Sequence, residues 1–182
     1  MKWRIGVFLS FAAAVLVLAA VAIAGTVTAT ATVTGAGSLS LSNGSTATLS
    51  DTLDGTDQTV NYTLPLTMTD ARGTGTGWNL TITSTTFTTG SHTLATTASS
   101  IASVSSSCVA GGTCTNPTNS ITYPVTVPAA ATAPAAVKLF NAAVNTGMGR
   151  FTITPSINVT IPGNSYAGSY TSTLTVAAVS GP

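Results

Sequence analysis

Alternation of apolar and polar residues runs through the chain and is clearest between Tyr62 and Ser84. Tyr62, Leu64, Leu66 and Met68 take every second position, with Thr63, Pro65, Thr67 and Thr69 between them. Beyond residues 71–77, Trp78, Leu80 and Ile82 alternate with Asn79, Thr81 and Thr83. Strand side chains point to opposite faces with period two, so each segment buries one face and wets the other. Trp78 and Leu80 therefore share a face. An indole is the largest apolar surface that a strand offers, and it needs a hollow to fill. The pattern predicts Trp78 as a core anchor; the rival is an exposed platform for stacking a sugar.

The same period recurs elsewhere. Residues 26–34 set Val27, Ala29, Ala31 and Val33 against threonines and read as the first strand after an apolar leader. Leu39 and Leu41 begin a short strand, with residues 46–49 as its return across the Asn43-Gly44 turn dipeptide. Residues 51–58 are polar and carry a second turn signal, Asp54-Gly55. Residues 90–117 are low in pattern and read as a long excursion with one or two short strands. Ile121, Tyr123, Val125 and Val127 alternate again, and Pro124 and Pro128 place that strand at an edge, since proline donates nothing to a ladder. Residues 137–140 read as strand in preference to the helical turn that Pro134 would allow. Phe151, Ile153, Ile157, Val159 and Ile161 alternate, and Pro155 on their apolar face marks a bulge or an edge. After a break at Pro162-Gly163-Asn164, Tyr170, Leu174, Val176 and Ala178 alternate. Many short strands with turn signals between them predict an all-β fold, an antiparallel sandwich or barrel with one wet face per sheet, with an antiparallel β-sandwich of immunoglobulin-like type preferred. Trp78, Leu80, Ile153, Ile157 and Leu174 are expected inside it.

Composition narrows the function. Only 5% of the 182 residues are charged, against about a quarter in an ordinary domain, and there is no Glu. Richness in Thr and Val still favours strands over disorder. Lys2 and Arg4 precede an apolar run over residues 5–24 that ends in the small-x-small triplet Ala22-Ile23-Ala24. Residues 1–24 read as a signal peptide, leaving 25–182 as one domain; uncleaved, they would be an N-terminal anchor and the chain's only membrane contact. The remaining charge is 3 − 4 = −1, from Arg72, Lys138 and Arg150 against four aspartates. Nucleic acid, which needs clustered Lys and Arg, is not an expected partner. No Leu-Pro-x-Thr-Gly signal or apolar tail stands near Pro182, so retention at a surface is expected to be noncovalent.

Candidate chemistry is sparse. Cys108 and Cys114 in an exported chain read as a disulfide clipping a loop, ahead of a metal pair or a catalytic thiol. His92 is the sole histidine and lies in a Gly-Ser-His-Thr loop context. Four aspartates without a nucleophile elbow give no footing for hydrolysis, so no enzyme and no cofactor is expected. Asp51, Asp54 and Asp57 form a solvated loop or a weak Ca²⁺ candidate, since Ca²⁺ wants several oxygens and the spacing is not that of an EF-hand. Gly73, Gly75 and Gly77 read as a turn between strands; phosphate cradles open helices instead. Arg72 beside Asp70 orders that turn by a charge-assisted hydrogen bond or meets an anionic polymer directly.

Taken together these residues have a recognisable order. Gln58-Thr59-Val60-x-Tyr62-x-Leu64-Pro65 is followed by Thr69-Asp70-Ala71-Arg72-Gly73-Thr74-Gly75-x-Gly77-Trp78-x-Leu80, and the chain closes with Ile161-Pro162-Gly163-Asn164-x-Tyr166-Ala167-Gly168-x-Tyr170-x-Ser172-x-Leu174-Thr175. This resembles the WxL domain of Gram-positive surface proteins over most of residues 25–182. A bare Trp-x-Leu is common; the Asp-x-Arg-Gly-Thr-Gly run before it is much more specific. The resemblance implies an exported β-sandwich that associates noncovalently with the cell wall through peptidoglycan. Other surface proteins are the alternative partners, whether in a surface layer or fibre built from this chain or in a complex that it completes. Binding candidates are Asp70, Arg72, Gly73, Gly75 and Gly77, with Trp78 and Leu80 as motif and core anchor. Members of the family often carry a second Trp-x-Leu near the C-terminus; here Val176 and Ala178 stand in its place.

Overall fold

The computed structural model of the protein describes residues 30–35, 37–43 and 49–182. Its strands, in chain order, are β1 (Leu39–Asn43), β2 (Gln58–Thr63), β3 (Leu66–Asp70), β4 (Trp78–Thr85), β5 (Thr88–Thr89), β6 (His92–Thr93), β7 (Ser99–Cys108), β8 (Val125–Thr126), β9 (Ala129–Ala130), β10 (Val137–Ala142), β11 (Gly149–Ile161) and β12 (Leu174–Ser180). Among the described residues every regular element is a strand. The larger sheet runs β1-β3-β11-β7-β8, with β2 also on β11; the smaller runs β10-β4-β12, with a short parallel pairing of β9 to β4. The two pack as an antiparallel sandwich, and β5 and β6 form a separate hairpin.

The core lies between the sheets. Leu66, Met68, Ile101, Phe151, Ile153 and Ile157 come from the larger sheet. Trp78, Leu80, Ile82, Leu139, Phe140 and Ala142 come from the smaller, and all twelve are buried. Leu174 was expected inside but is only half-buried, because β12 is an edge strand and its first residue lies at the margin. Residues 137–140 are strand, as the pattern predicts. The successive burial of Leu139 and Phe140 comes from a bulge between Lys138 and Phe140, which inserts one extra residue and turns both inward.

β11 organises the larger sheet. Its 13 residues pair with β7 on one side and with β3 and then β2 on the other. Tyr62 to Met68 was read as one alternating segment and is nearly that. The register runs on through the break, with Thr63 opposite Ser156 and Leu66 opposite Ile153. Leu64 N–H still donates to the Pro155 carbonyl at 3.0 Å, while Pro65 has no N–H to continue the ladder. Pro155 marks a bulge and not an edge: it is buried in the middle of the sheet, and the β11–β7 register shifts just beyond it, between Ser156 and Ile157.

Four further expectations need correction. Residues 26–29 lie outside the described residues, but 30–34 form no strand and are exposed, Val33 by 92%. Alternation there sets only Ala31 and Val33 against threonine, too little apolar surface to hold a strand to the core. β1 pairs with β3, not with residues 46–49, of which 46–48 lie outside the described residues and Leu49 is not strand. Residues 99–108, read as part of a poorly patterned excursion, form the ten-residue β7. Finally, β4 has no wet face. On the face turned from the core, Asn79 and Thr83 are buried, with Asn79 Nδ2 donating to the Gly181 carbonyl at 2.7 Å and Thr83 Oγ1 to the Pro134 carbonyl at 2.9 Å, while Ser84 N–H donates to the Pro128 carbonyl at 3.0 Å.

Candidate functional site

Residues 71–77 cross from β3 in one sheet to β4 in the other. The crossover is braced at its start. Asp70 ends β3 with its side chain 1% exposed, and Arg72, 12% exposed, wraps back onto it. Nε donates to Asp70 Oδ1 at 2.9 Å and Nη2 to Oδ2 at 2.9 Å, the paired geometry in which a guanidinium fork matches a carboxylate. Nη2 also donates to the Gly77 carbonyl at 2.7 Å, and Nη1 to Ser180 Oγ at the end of β12. One side chain thus joins the end of β3, the far end of the crossover and the last strand. Burial pushes the Asp70 carboxyl upward, but hydrogen bonds from the Arg72 side chain and backbone, with the guanidinium charge, outweigh it and hold the group below the ordinary carboxylate value. The hydrogen bonds to Asp70 raise Arg72 in turn, against the opposing effect of its own burial.

The rest of the crossover divides into a buried and an exposed part. Gly73, Thr74 and Thr76 are exposed; Gly75 and Gly77 are buried. Asn145 N–H donates to the Gly75 carbonyl at 2.7 Å, and Gly181 N–H to that of Gly77 at 3.1 Å. Gly77 has φ +72° and lies so close to the Ala142 carbonyl that no Cβ fits, a position open only to glycine.

Trp78 is fully buried, which excludes the sugar platform. Its ring lies 5.9 Å from Phe140 and 6.4 Å from Phe151, centroid to centroid, so it touches both sheets. Its Nε1–H donates to the Gly147 carbonyl at 2.8 Å, the partner that a buried indole requires. A Cβ on Gly147, at φ +69°, would meet the indole and Ala142. Nothing in the sequence marked Gly147 apart from the chain's other glycines. Leu80 is equally buried, and Val176 and Ala178 pack against the same core from β12, opposite Ile82 and Leu80. Both motif positions therefore face inward, so the absence of a second tryptophan alters the core and not the outer surface.

The remaining candidates separate. Cys108 and Cys114 form a disulfide that closes the loop after β7. The three clustered aspartates are not brought together on one centre. Asp51 accepts from Thr52 N–H, Asp54 from the N–H and hydroxyl of Thr56, and Asp57 from Gly163 N–H. The Thr56 hydroxyl and backbone bonds hold the Asp54 carboxyl below its ordinary value. Among the described residues no three His, Cys, Asp or Glu side chains are placed to share a metal ion. Sequence reasoning passed over a hollow of about 690 Å³ at the other end of β11, bordered by Tyr166 and Tyr170 and floored by a second apolar cluster around Leu94 and Val159.

Comparison with known proteins agrees with the geometry. The family profile described as "WxL domain surface cell wall-binding" matches residues 21–180, from before β1 to the end of β12. No curated protein and no solved structure matches the chain significantly.

Proposed function

The chain belongs to the WxL domain family of surface cell wall-binding domains, and from that premise we propose that it is an exported module held noncovalently on the cell wall by contact with peptidoglycan. The observation that carries the reading is the extent of the match, which takes in every described strand and so concerns the whole sandwich. Few charges and a net charge near zero argue against a merely electrostatic association, which would fade with salt. In this reading residues 1–24 direct export and are removed. The Asp70–Arg72 pair, with Gly75 and Gly77 beneath, positions the crossover. Gly73, Thr74 and Thr76 are the part a polymer reaches at this end, since loops on a rigid sandwich commonly carry binding.

The test is sedimentation of residues 25–182, which contain every described strand, with purified sacculi. The protein pellets with them and stays bound in high salt, and Thr74→Ala/Thr76→Ala lowers the bound fraction at unchanged thermal stability. Protein that remains in the supernatant refutes the reading. One observation favours a second reading, a subunit that packs edge to edge in a surface layer. Among the described residues β12 has a strand partner on one side only, and it carries no charged residue, leaving little to discourage pairing with another chain. Elution in the void volume of a size-exclusion column would support it.

A further inference from the structure

The larger hollow lies at the opposite end of β11 from the Arg72 brace, about 40 Å away by strand rise. Val60, Phe87, Leu94, Val159 and Ile161 floor it. A second hollow of about 350 Å³ adjoins it, and Tyr166 borders both. Tyr166 is 63% exposed, unusual for so large an apolar ring. It is nevertheless fixed. His92, from β6, stacks on it with ring centroids 3.7 Å apart and planes 12° from parallel. The Tyr170 hydroxyl donates to the Tyr166 carbonyl at 3.0 Å. The loop bearing both tyrosines is tied at its start, where Gly163 N–H donates to Asp57 Oδ1, and at its end, where Thr171 bridges to Thr88.

We propose that this hollow binds a neutral, N-acetylated glycan strand, with Tyr166 and His92 as the stacking ridge between two sugar subsites. The proposal rests on the wall-binding reading for the source of the glycan and is independent of the crossover at the other end. A pyranose has a face of axial C–H groups that packs on a flat aromatic ring, and a rim of hydroxyls that must be hydrogen-bonded as water leaves. The hollow supplies both. Tyr166 gives the ring, while Ser165, Ser169 and Thr52 give hydroxyls beside it. The apolar floor suits the methyl group of an acetamido substituent, and the Asp51 carboxylate at the border accepts an amide or hydroxyl proton. Among the described residues neither hollow is bordered by Lys or Arg; a phosphate-rich polymer would demand them. Pockets of this size and of mixed apolar and polar lining are typical for small ligands. Ordering the ridge in advance lowers the entropy that binding must overcome.

His92 is the chain's only histidine, so its imidazole NMR signals report on this ridge alone. Residues 25–182 are titrated to about 10 mM, enough to saturate a millimolar site, with soluble glycan strands stripped of their peptides, and are sedimented separately with intact sacculi. The expected result is a saturable shift of the His92 signals, with at least tenfold weaker glycan binding in Tyr166→Ala, near-parent binding in Tyr166→Phe, and reduced pelleting of Tyr166→Ala at unchanged thermal stability. If the parent pellets, His92 stays silent and Tyr166→Ala pellets equally well, the glycan site is overturned while wall binding stands. If His92 shifts but the parent does not pellet, the glycan site stands and wall retention fails. Silence of His92 together with failure to pellet overturns both.

Discussion

Removing the guanidinium from Arg72 should reverse the sign of the protein's stability response to acid. In Arg72→Ala the Asp70 carboxylate, 1% exposed, loses both side-chain hydrogen bonds and keeps only the N–H of residue 72, at 3.2 Å. The Gly77 carbonyl and Ser180 hydroxyl lose a donor as well. Breaking a buried pair by removing one partner costs about 3–5 kcal/mol near neutral pH, since a charge is left without compensation. In the parent the folded carboxyl lies below its ordinary value of 3.8. Its contribution is therefore complete above about pH 4 and is lost as pH falls through the depressed folded value. In the variant burial acts almost unopposed, so the folded value rises above the unfolded one. Folded protein then binds the extra proton, and the variant gains stability as pH falls from neutrality towards about 4, over a range where this group leaves the parent unchanged. Urea unfolding measures both slopes through Trp78, the only tryptophan in residues 25–182. Adding Asp70→Asn to the variant should restore part of the loss at neutral pH and remove the slope, completing a double-mutant cycle. Parallel pH profiles in parent and Arg72→Ala, or a loss under about 1 kcal/mol, would refute the buried-pair reasoning.

Other outcomes follow from the core and the loops. Trp78→Ala should cost about 3–5 kcal/mol in urea unfolding followed by circular dichroism, and a variant that melts like the parent would remove Trp78 as anchor. Gly147→Ala, far from Trp78 in sequence, should also destabilise markedly, because its methyl meets the indole and Ala142 at a positive φ; an unchanged Tm would mean that the loop yields freely. Cys108 and Cys114 should give no free thiol in non-reduced, denatured protein, and replacing both by serine should cost about 2 kcal/mol for so short a loop.

Periodicity located the strands that carry large apolar residues and missed those that do not. β4 and β11 were legible because Trp78, Leu80, Phe151 and Ile153 recur at period two. β7 was not, because its outer half is mostly serine with Val104 alone among the polar residues, and its place comes from hydrogen bonds to β11 along almost its whole length. Residues 26–34 show the converse, since alternation without bulk leaves 30–34 unpaired. Pairing partners were out of reach too. Nothing in Leu39 or Leu41 says that β1 lies against β3, and strand order across the two sheets has no signature in alternation. At the candidate site, adjacency in sequence made the Asp70–Arg72 pair readable. The Tyr166–His92 stack was not, since its rings come from a hairpin strand and a loop far apart in sequence, and each looks ordinary in its own setting.

Both described ends of the sandwich lie at the Arg72 pole. Gly35 packs against the Arg72 carbonyl, and Gly181 is hydrogen-bonded to Gly77. The direction of a mechanical load would therefore decide how the module yields. Tension between the two ends would peel β1 and β12 from their sheets, breaking a few hydrogen bonds at a time. Tension between a glycan held at the Tyr166 pole and the C-terminal end would run along β12 itself, and tension to the N-terminal end would pass through β11 and β3 to β1 and load those ladders in shear, so that many bonds resist together. The same fold would be soft when stretched by its ends and stiff when it tethers.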